Sequence, residues 1–119
     1  MAVKYPEMQL NAADALAGLA DAGWAKRKAA DPGLQPSEYY EDLGNAINVL
    51  ADTTDPPAPA GVVFESVSEL EAVAAVWAAW QDVVEAVGSP DAPDSAYYGE
   101  PGWADVVRRA REALDLIRP

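Results

Sequence analysis

Apolar residues recur at helical spacing in several separate stretches of this 119-residue chain. The clearest stretch precedes Gly88, and steps of three and four separate its apolar positions Leu70, Val73, Trp77, Trp80, Val84 and Val87. Two pairs at its start, Ser66 with Glu69 and Ser68 with Glu71, have the spacing of a capping box. Gly88 stands where a C-terminal cap belongs, and a proline follows two residues later. The pattern predicts a core-facing helix of about five turns.

Two shorter helices are predicted near the N-terminus. The first begins at Pro6, which suits the first helical position, and ends at residues 21–23. Its apolar face consists of Ala12, Ala15, Leu16 and Leu19. The second carries residues 24–30 and stops before Pro32, because proline restricts the residue that precedes it. Trp24 is the least periodic of the four tryptophans, so we expect it to be partly exposed.

Two further helices complete the predicted fold. The third begins near Pro36, ends at about Ala51, and turns Tyr39, Leu43, Ile47 and Leu50 inward. The last starts around Gly102, and its apolar stripe consists of Trp103, Val106, Val107, Ala110, Leu114 and Ile117. Residues 52–61 and 89–101 are predicted to be proline-rich loops, and residues 62–64 to be extended without a partner strand. The chain is therefore predicted to be a single all-α domain over residues 1–119, a compact bundle of four to five helices with two proline-rich loops.

The missing residue types limit the chemistry of the chain. It contains neither cysteine nor histidine, so disulfides, the common zinc, copper and haem ligands and histidine-based catalysis are excluded. We therefore expect no cofactor, no metal site and no enzyme activity. The longest apolar-rich stretch, residues 72–80, is too short to span a bilayer, and the N-terminus does not have the pattern of a signal peptide. A cytoplasmic protein with no membrane contact is the expectation.

The acidic residues are concentrated in the middle of the sequence. The net charge is −12, and between Ala29 and Val107 there are fifteen acids and no lysine or arginine. Such a field repels nucleic acid and anionic membranes, and it attracts basic protein surfaces. The alternative is that the acidic surface serves only solubility or reflects genome composition.

The third predicted helix and the loop after it carry the candidate contact surface. The predicted partner-binding residues are Glu38, Tyr39, Tyr40, Glu41, Asp42, Asp52 and Asp55. Glu38 and Asp42 would share a helical face at i, i+4, and a tyrosine would supply the apolar anchor of a specific contact. A partly buried helix shoulder is the alternative for the tyrosines. The acids do not have EF-hand spacing, which argues against a calcium site.

Two functions from different classes follow from these features. The first is a non-enzymatic binding module whose acidic face binds a basic protein. The second is a small-molecule-binding or regulatory domain with a pocket lined by Trp and Tyr between helices. A closed aromatic pocket would favour the second, although the tryptophans lie mostly on stripes that predict a core position. The oligomeric state is left open by the sequence.

Three stretches resemble a family of small acidic hypothetical proteins of actinomycetes. They are residues 5–16, the Asp52-Thr53-Thr54-Asp55 segment, and residues 102–114, which begin with Gly102-Trp103. The resemblance spans nearly the whole chain but implies no catalytic or binding residue. Some small acidic bacterial domains are immunity proteins for secreted toxins, and this chain is similar to that class in size and charge.

Overall fold

All the regular structure in the computed structural model, which describes residues 3–54 and 59–118, is helical. The helices are α1 (Pro6–Leu19), α2 (Ala22–Ala30), α3 (Leu43–Thr54), α4 (Val67–Val87), α5 (Asp94–Tyr98) and α6 (Trp103–Ile117), with a 3₁₀ turn at Tyr39–Glu41. Within these ranges five helices have nine or more residues, and α5 has only five. The predicted all-α bundle is confirmed.

The core lies where α6 packs against both α1 and α4. The α1 helix also contacts α3, and α2 contacts α5. The predicted inner face of α1 is confirmed, because Ala12, Ala15, Leu16 and Leu19 are all buried. In α6, Trp103, Val106, Val107 and Ala110 are buried and the last two predicted positions are partly buried. Alanines on both faces let these helices approach closely.

The first of the two possible capping boxes starts α4. Glu69 N donates to Ser66 Oγ at 3.2 Å, and the Glu69 carboxylate accepts from Ser66 N at 3.0 Å. Gly88 ends the helix with a φ of 71°, in the left-handed region that favours glycine. Both ends of α4 are therefore determined by residues within four positions of the helix terminus.

The buried face of α4 is rotated from the predicted stripe. It consists of Glu69, Val73, Val76, Ala79, Trp80 and Val83. Trp77, Leu70 and Val84 are only half-buried, so their predicted core position was wrong. Since α4 is apolar on most sides, its sequence does not single out one face. The packing of α6 selects the face that carries the small Ala79.

Three boundaries also differ from the prediction. The third helix begins at Leu43, not near Pro36, because the chain first forms the 3₁₀ turn and Asp42 is extended. Residues 52–54, predicted as loop, complete α3, and the Thr53 and Thr54 hydroxyls donate to the Leu50 carbonyl at 2.9 and 2.7 Å. The second predicted loop contains α5, whose five residues are too few for a periodic signal.

Residues 62–64 form bends instead of an extended strand. Val63 and Phe64 are buried in the core. Two backbone hydrogen bonds of 2.8 Å, from Lys4 N to the Gly61 carbonyl and from Tyr5 N to the Val62 carbonyl, tie this segment to the N-terminus. The apolar residues here are core anchors for the connection between α3 and α4.

Candidate partner-binding groove

A groove between α1 and the 3₁₀ turn contains most of the predicted contact residues. Its lining consists of Asp14, Ala17, Gly18, Asp21, Glu38, Tyr39, Tyr40 and Glu41, and its volume is about 540 Å³. We call this surface the acidic groove. Its four carboxylates come from α1, from the link between α1 and α2, and from the turn. Segments far apart in the sequence therefore converge on one negative surface.

The absence of a side chain at Gly18 allows the turn to lie directly on α1. A Cβ atom at Gly18 would stand 2.9 Å from Tyr40 Cβ and closer still to the Tyr40 carbonyl oxygen. Real Cβ atoms are not found at such distances, so any other residue would displace the turn. Gly18 thus sets the depth of the acidic groove.

Two tyrosines stand at the mouth and the wall of the groove. The side chain of Tyr39 is 66% exposed, whereas Tyr40 is half-buried. The predicted inward position of Tyr39 was wrong, because its segment is not part of α3. The two rings meet edge to face with centroids 4.9 Å apart. Burial, together with nearby Tyr39 and Asp14, raises the pKa of the Tyr40 phenol, which keeps it a neutral hydrogen-bond donor.

The Glu41 carboxylate holds the turn together. Its Oε1 accepts hydrogen bonds from Glu38 N and Ser37 N, both at 2.8 Å, and from Ser37 Oγ at 3.0 Å. These bonds, first from the Glu38 and then from the Ser37 backbone, hold the pKa of Glu41 below its ordinary value. Glu41 is therefore ionised at neutral pH, and its carboxylate stabilises the turn.

Glu38 and Asp42 do not share a helical face, which corrects the predicted i, i+4 pair. Glu38 precedes the 3₁₀ turn, and its backbone carbonyl accepts from Glu41 N at 3.1 Å, whereas Asp42 follows the turn in extended conformation. Asp42 Oδ1 instead accepts from Asn45 N at 3.1 Å and caps the start of α3. Asp42 does not line the acidic groove.

The structure places Asp52 away from the acidic groove. It is exposed in the last turns of α3, where it lines a shallow depression with Met8 and Asn11. Nine helical residues, 43–51, lie between it and Asp42, which corresponds to roughly 14 Å along the helix axis. Asp55 lies outside the described residues. The predicted site is therefore divided, and its compact part is residues 38–41.

Asp14 and Asp21 belong to the groove and were not among the predicted contact residues. Asp14 accepts from Arg118 Nη2 at 2.8 Å, the only ion pair of a groove carboxylate within the described part of the chain. Asp21 Oδ1 caps α2 by accepting from Trp24 N at 2.9 Å. No local pattern marks either residue, since what brings them to the turn is the packing at Gly18. Arg118 pairs with Asp14 and Arg27 acts on Glu41 from a longer distance, so the four carboxylates still leave the groove negative.

Metal and membrane features are absent from the parts of the chain that the structure describes. In residues 3–54 and 59–118 no three acidic side chains converge closely enough to hold a metal ion. Over the same ranges every helix is too short or too polar to cross a bilayer.

The fold and the groove define a small all-helical domain with an acidic, tyrosine-bearing surface. The family model described as Domain of unknown function (DUF7945) matches residues 3–119, and the chain belongs to this family. The resemblance to an uncharacterised family is thereby confirmed at that level. No curated protein and no solved structure matched the chain.

Proposed function

We propose that this chain is a non-enzymatic binding module whose acidic groove takes a basic segment of a protein partner. The observation that carries the proposal is the convergence of four carboxylates around the exposed Tyr39 ring. Opposite charges steer a basic partner toward the groove, and desolvation of a tyrosine gives the contact its specificity. A lysine or arginine of the partner can also lie over an exposed tyrosine ring.

The acidic groove has the character of a contact surface more than of an active site. Its carboxylates have no histidine or cysteine to work with, since the chain contains neither. The pKa of Glu41 is lowered, whereas a general acid at neutral pH needs a raised one. Both features support binding without catalysis.

A narrower version of the proposal is an immunity role in the cytoplasm, with a basic toxin domain as the partner. It rests on the similarity in size and charge to those small acidic bacterial domains that are immunity proteins for secreted toxins. Immunity proteins work by binding alone, which agrees with the proposed mode of action. The acidic groove would then be the surface that covers the toxin.

A matched pair of double variants tests the use of the groove. Glu38→Gln with Tyr39→Ala removes one charge and one exposed ring from the groove, and the backbone bond from Glu41 N to the Glu38 carbonyl needs neither side chain. Tyr5→Ala with Glu7→Gln removes the same groups from the exposed start of α1. The probe is a fluorescein-labelled hexa-arginine peptide, followed by anisotropy at low and at physiological salt.

We expect the groove variant to weaken peptide binding by about fivefold or more and the control to change it less than about twofold. Capture from a lysate of the source organism, read by mass spectrometry, should then retain basic proteins on the wild type and the control alone. Equal losses in both variants would indicate a general field effect. Undiminished binding by the groove variant would refute the proposal.

A further inference from the structure

A second groove, with aromatic walls, lies between α2, α6 and the link from α5 to α6. Its walls include Ala25, Ala29, Tyr98, Trp103 and Val107, and its volume is about 410 Å³. We call this surface the aromatic groove. Its volume falls within the range of small-molecule sites, which are mostly apolar with a few placed polar groups.

One polar group in the wall of the aromatic groove has no partner. Trp103 is 5% exposed, and its Nε1 is buried without a hydrogen-bond acceptor in the described part of the chain. The Trp103 ring is held edge to face by Tyr98, with centroids 4.8 Å apart, and by Trp80 at 6.3 Å. Most buried N–H groups in proteins are paired, so the Trp103 indole is an exception within the aromatic wall of the groove.

Two unpaired charges of opposite sign stand at the rim. Lys26, on α2, has no hydrogen bond, ion pair or aromatic contact within residues 3–54 and 59–118, although each of the other seven lysines and arginines has one. Glu100, on the link between α5 and α6, likewise has no side-chain partner there. An unpaired lysine and an unpaired glutamate that line the same groove offer the two opposite charges that a zwitterion needs.

We propose that the aromatic groove binds a small zwitterion with an apolar body, the simplest being a free amino acid with an aromatic or branched side chain. Its carboxylate pairs with Lys26 and its ammonium with Glu100. The apolar body lies against the rings of Tyr98 and Trp103, which line the groove. This site is separate from the acidic groove and does not depend on the function proposed for it.

Three probes that share a phenyl body separate the contributions of charge and apolar contact. They are L-phenylalanine, 3-phenylpropionate, which has only the carboxylate, and phenethylamine, which has only the ammonium. Each is titrated into the ¹⁵N-labelled chain, and the indole N–H signal of Trp103 is followed by NMR. That signal is assigned through its contacts with Tyr98 and Trp80. We expect L-phenylalanine to shift this signal, because its ring lies against Trp103, and to bind about fivefold more tightly than either single-charge probe.

Charge variants at the rim complete the experiment. Lys26→Met and Glu100→Gln should each weaken L-phenylalanine binding by about fivefold. Lys4→Met and Glu85→Gln make the same charge changes at exposed positions outside the groove and should leave binding unchanged. Equal binding of all three probes, unaltered binding by the rim variants, or no shift of the Trp103 signal would overturn the proposal.

Discussion

Gly18 shows how one missing side chain shapes a surface. The Tyr40 backbone lies against the Gly18 Cα, and the acidic groove forms beside this contact. Glycine is needed at position 18 because the Tyr40 backbone lies so close to it. The backbone conformation does not require glycine, since the φ of Gly18 is not positive. The groove therefore depends on a residue that does not itself contact a partner.

Gly18→Ala is expected to lower the free energy of unfolding by about 1–3 kcal/mol, the usual cost of inserting a methyl group into packed surroundings. Urea denaturation followed by circular dichroism measures this loss. Gly33→Ala is the matched control, because its Cβ would meet nothing closer than 3.6 Å. If the two variants lose the same stability, the contact between α1 and the turn is not tight.

The tryptophans offer a second comparison between positions. Trp24 is 3% exposed, which corrects its predicted partial exposure, and its Nε1 donates to Tyr98 Oη at 3.3 Å. Trp77 is half-buried at the edge of α4. Trp24→Ala should cost about 3–5 kcal/mol and Trp77→Ala clearly less, because only the first leaves a buried cavity. Chemical denaturation of both variants decides the order, and a larger loss at Trp77 would contradict the observed packing of α4.

A chain of hydrogen bonds joins α2, α5 and the 3₁₀ turn. Tyr98 Oη accepts from Trp24 Nε1 and donates to the Glu41 carbonyl at 3.4 Å. Burial raises the pKa of Tyr98 to about 12, so the phenol remains a donor throughout the physiological range. Tyr98 also lines the aromatic groove. Because its hydroxyl is bonded to Glu41, a residue of the acidic groove, Tyr98 contacts both grooves.

At the start of α4 the structure selects one of two equivalent capping pairs. Ser66→Ala removes the cap and is expected to cost about 0.5–2 kcal/mol in unfolding free energy. Ser68 is exposed and makes no side-chain hydrogen bond in the described part of the chain, so Ser68→Ala should be nearly neutral. Thermal and urea unfolding of both variants distinguish them, and equal losses would mean that the cap does not stabilise α4.

Most ion pairs of the described residues lie within one helix, α6. Arg108 and Arg109 pair with Asp105, and Arg108 also pairs with Glu112, all within α6. These two arginines therefore neutralise acids of their own helix, and within residues 3–54 and 59–118 no acid of α3 or α4 has an ion pair. At Asp94, burial raises the carboxyl pKa, and the neighbouring Asp42 raises it further. Like charges that face one another in this way destabilise the compact state.

Moderate salt should therefore raise the melting temperature. The Debye length falls from about 30 Å at 0.01 M to about 10 Å at 0.1 M, which screens repulsion between distant carboxylates. Differential scanning calorimetry between about 10 and 100 mM sodium chloride measures the rise. Potassium and choline chlorides at equal ionic strength serve as controls for specific cation binding. A flat or falling melting temperature would show that the carboxylates are already balanced.

The sequence by itself determined the all-α class, the C-terminal end of α4 and the inner faces of α1 and α6, and it left two possible capping pairs for the start of α4. Caps and helical periodicity act between residues three or four positions apart, so they can be read along the chain. It also predicted the cluster at residues 38–41, because acids and tyrosines are adjacent there.

Only the tertiary structure decided which residues lie together on one surface. Asp14 and Asp21 join residues 38–41 through the close approach at Gly18, and Asp52 lies elsewhere. Packing against α6 chose the buried face of α4, and the core enclosed Trp24. These outcomes depend on contacts between segments that are distant in the sequence. The free energy of such contacts is shared among many residues, so no local sequence pattern indicates them.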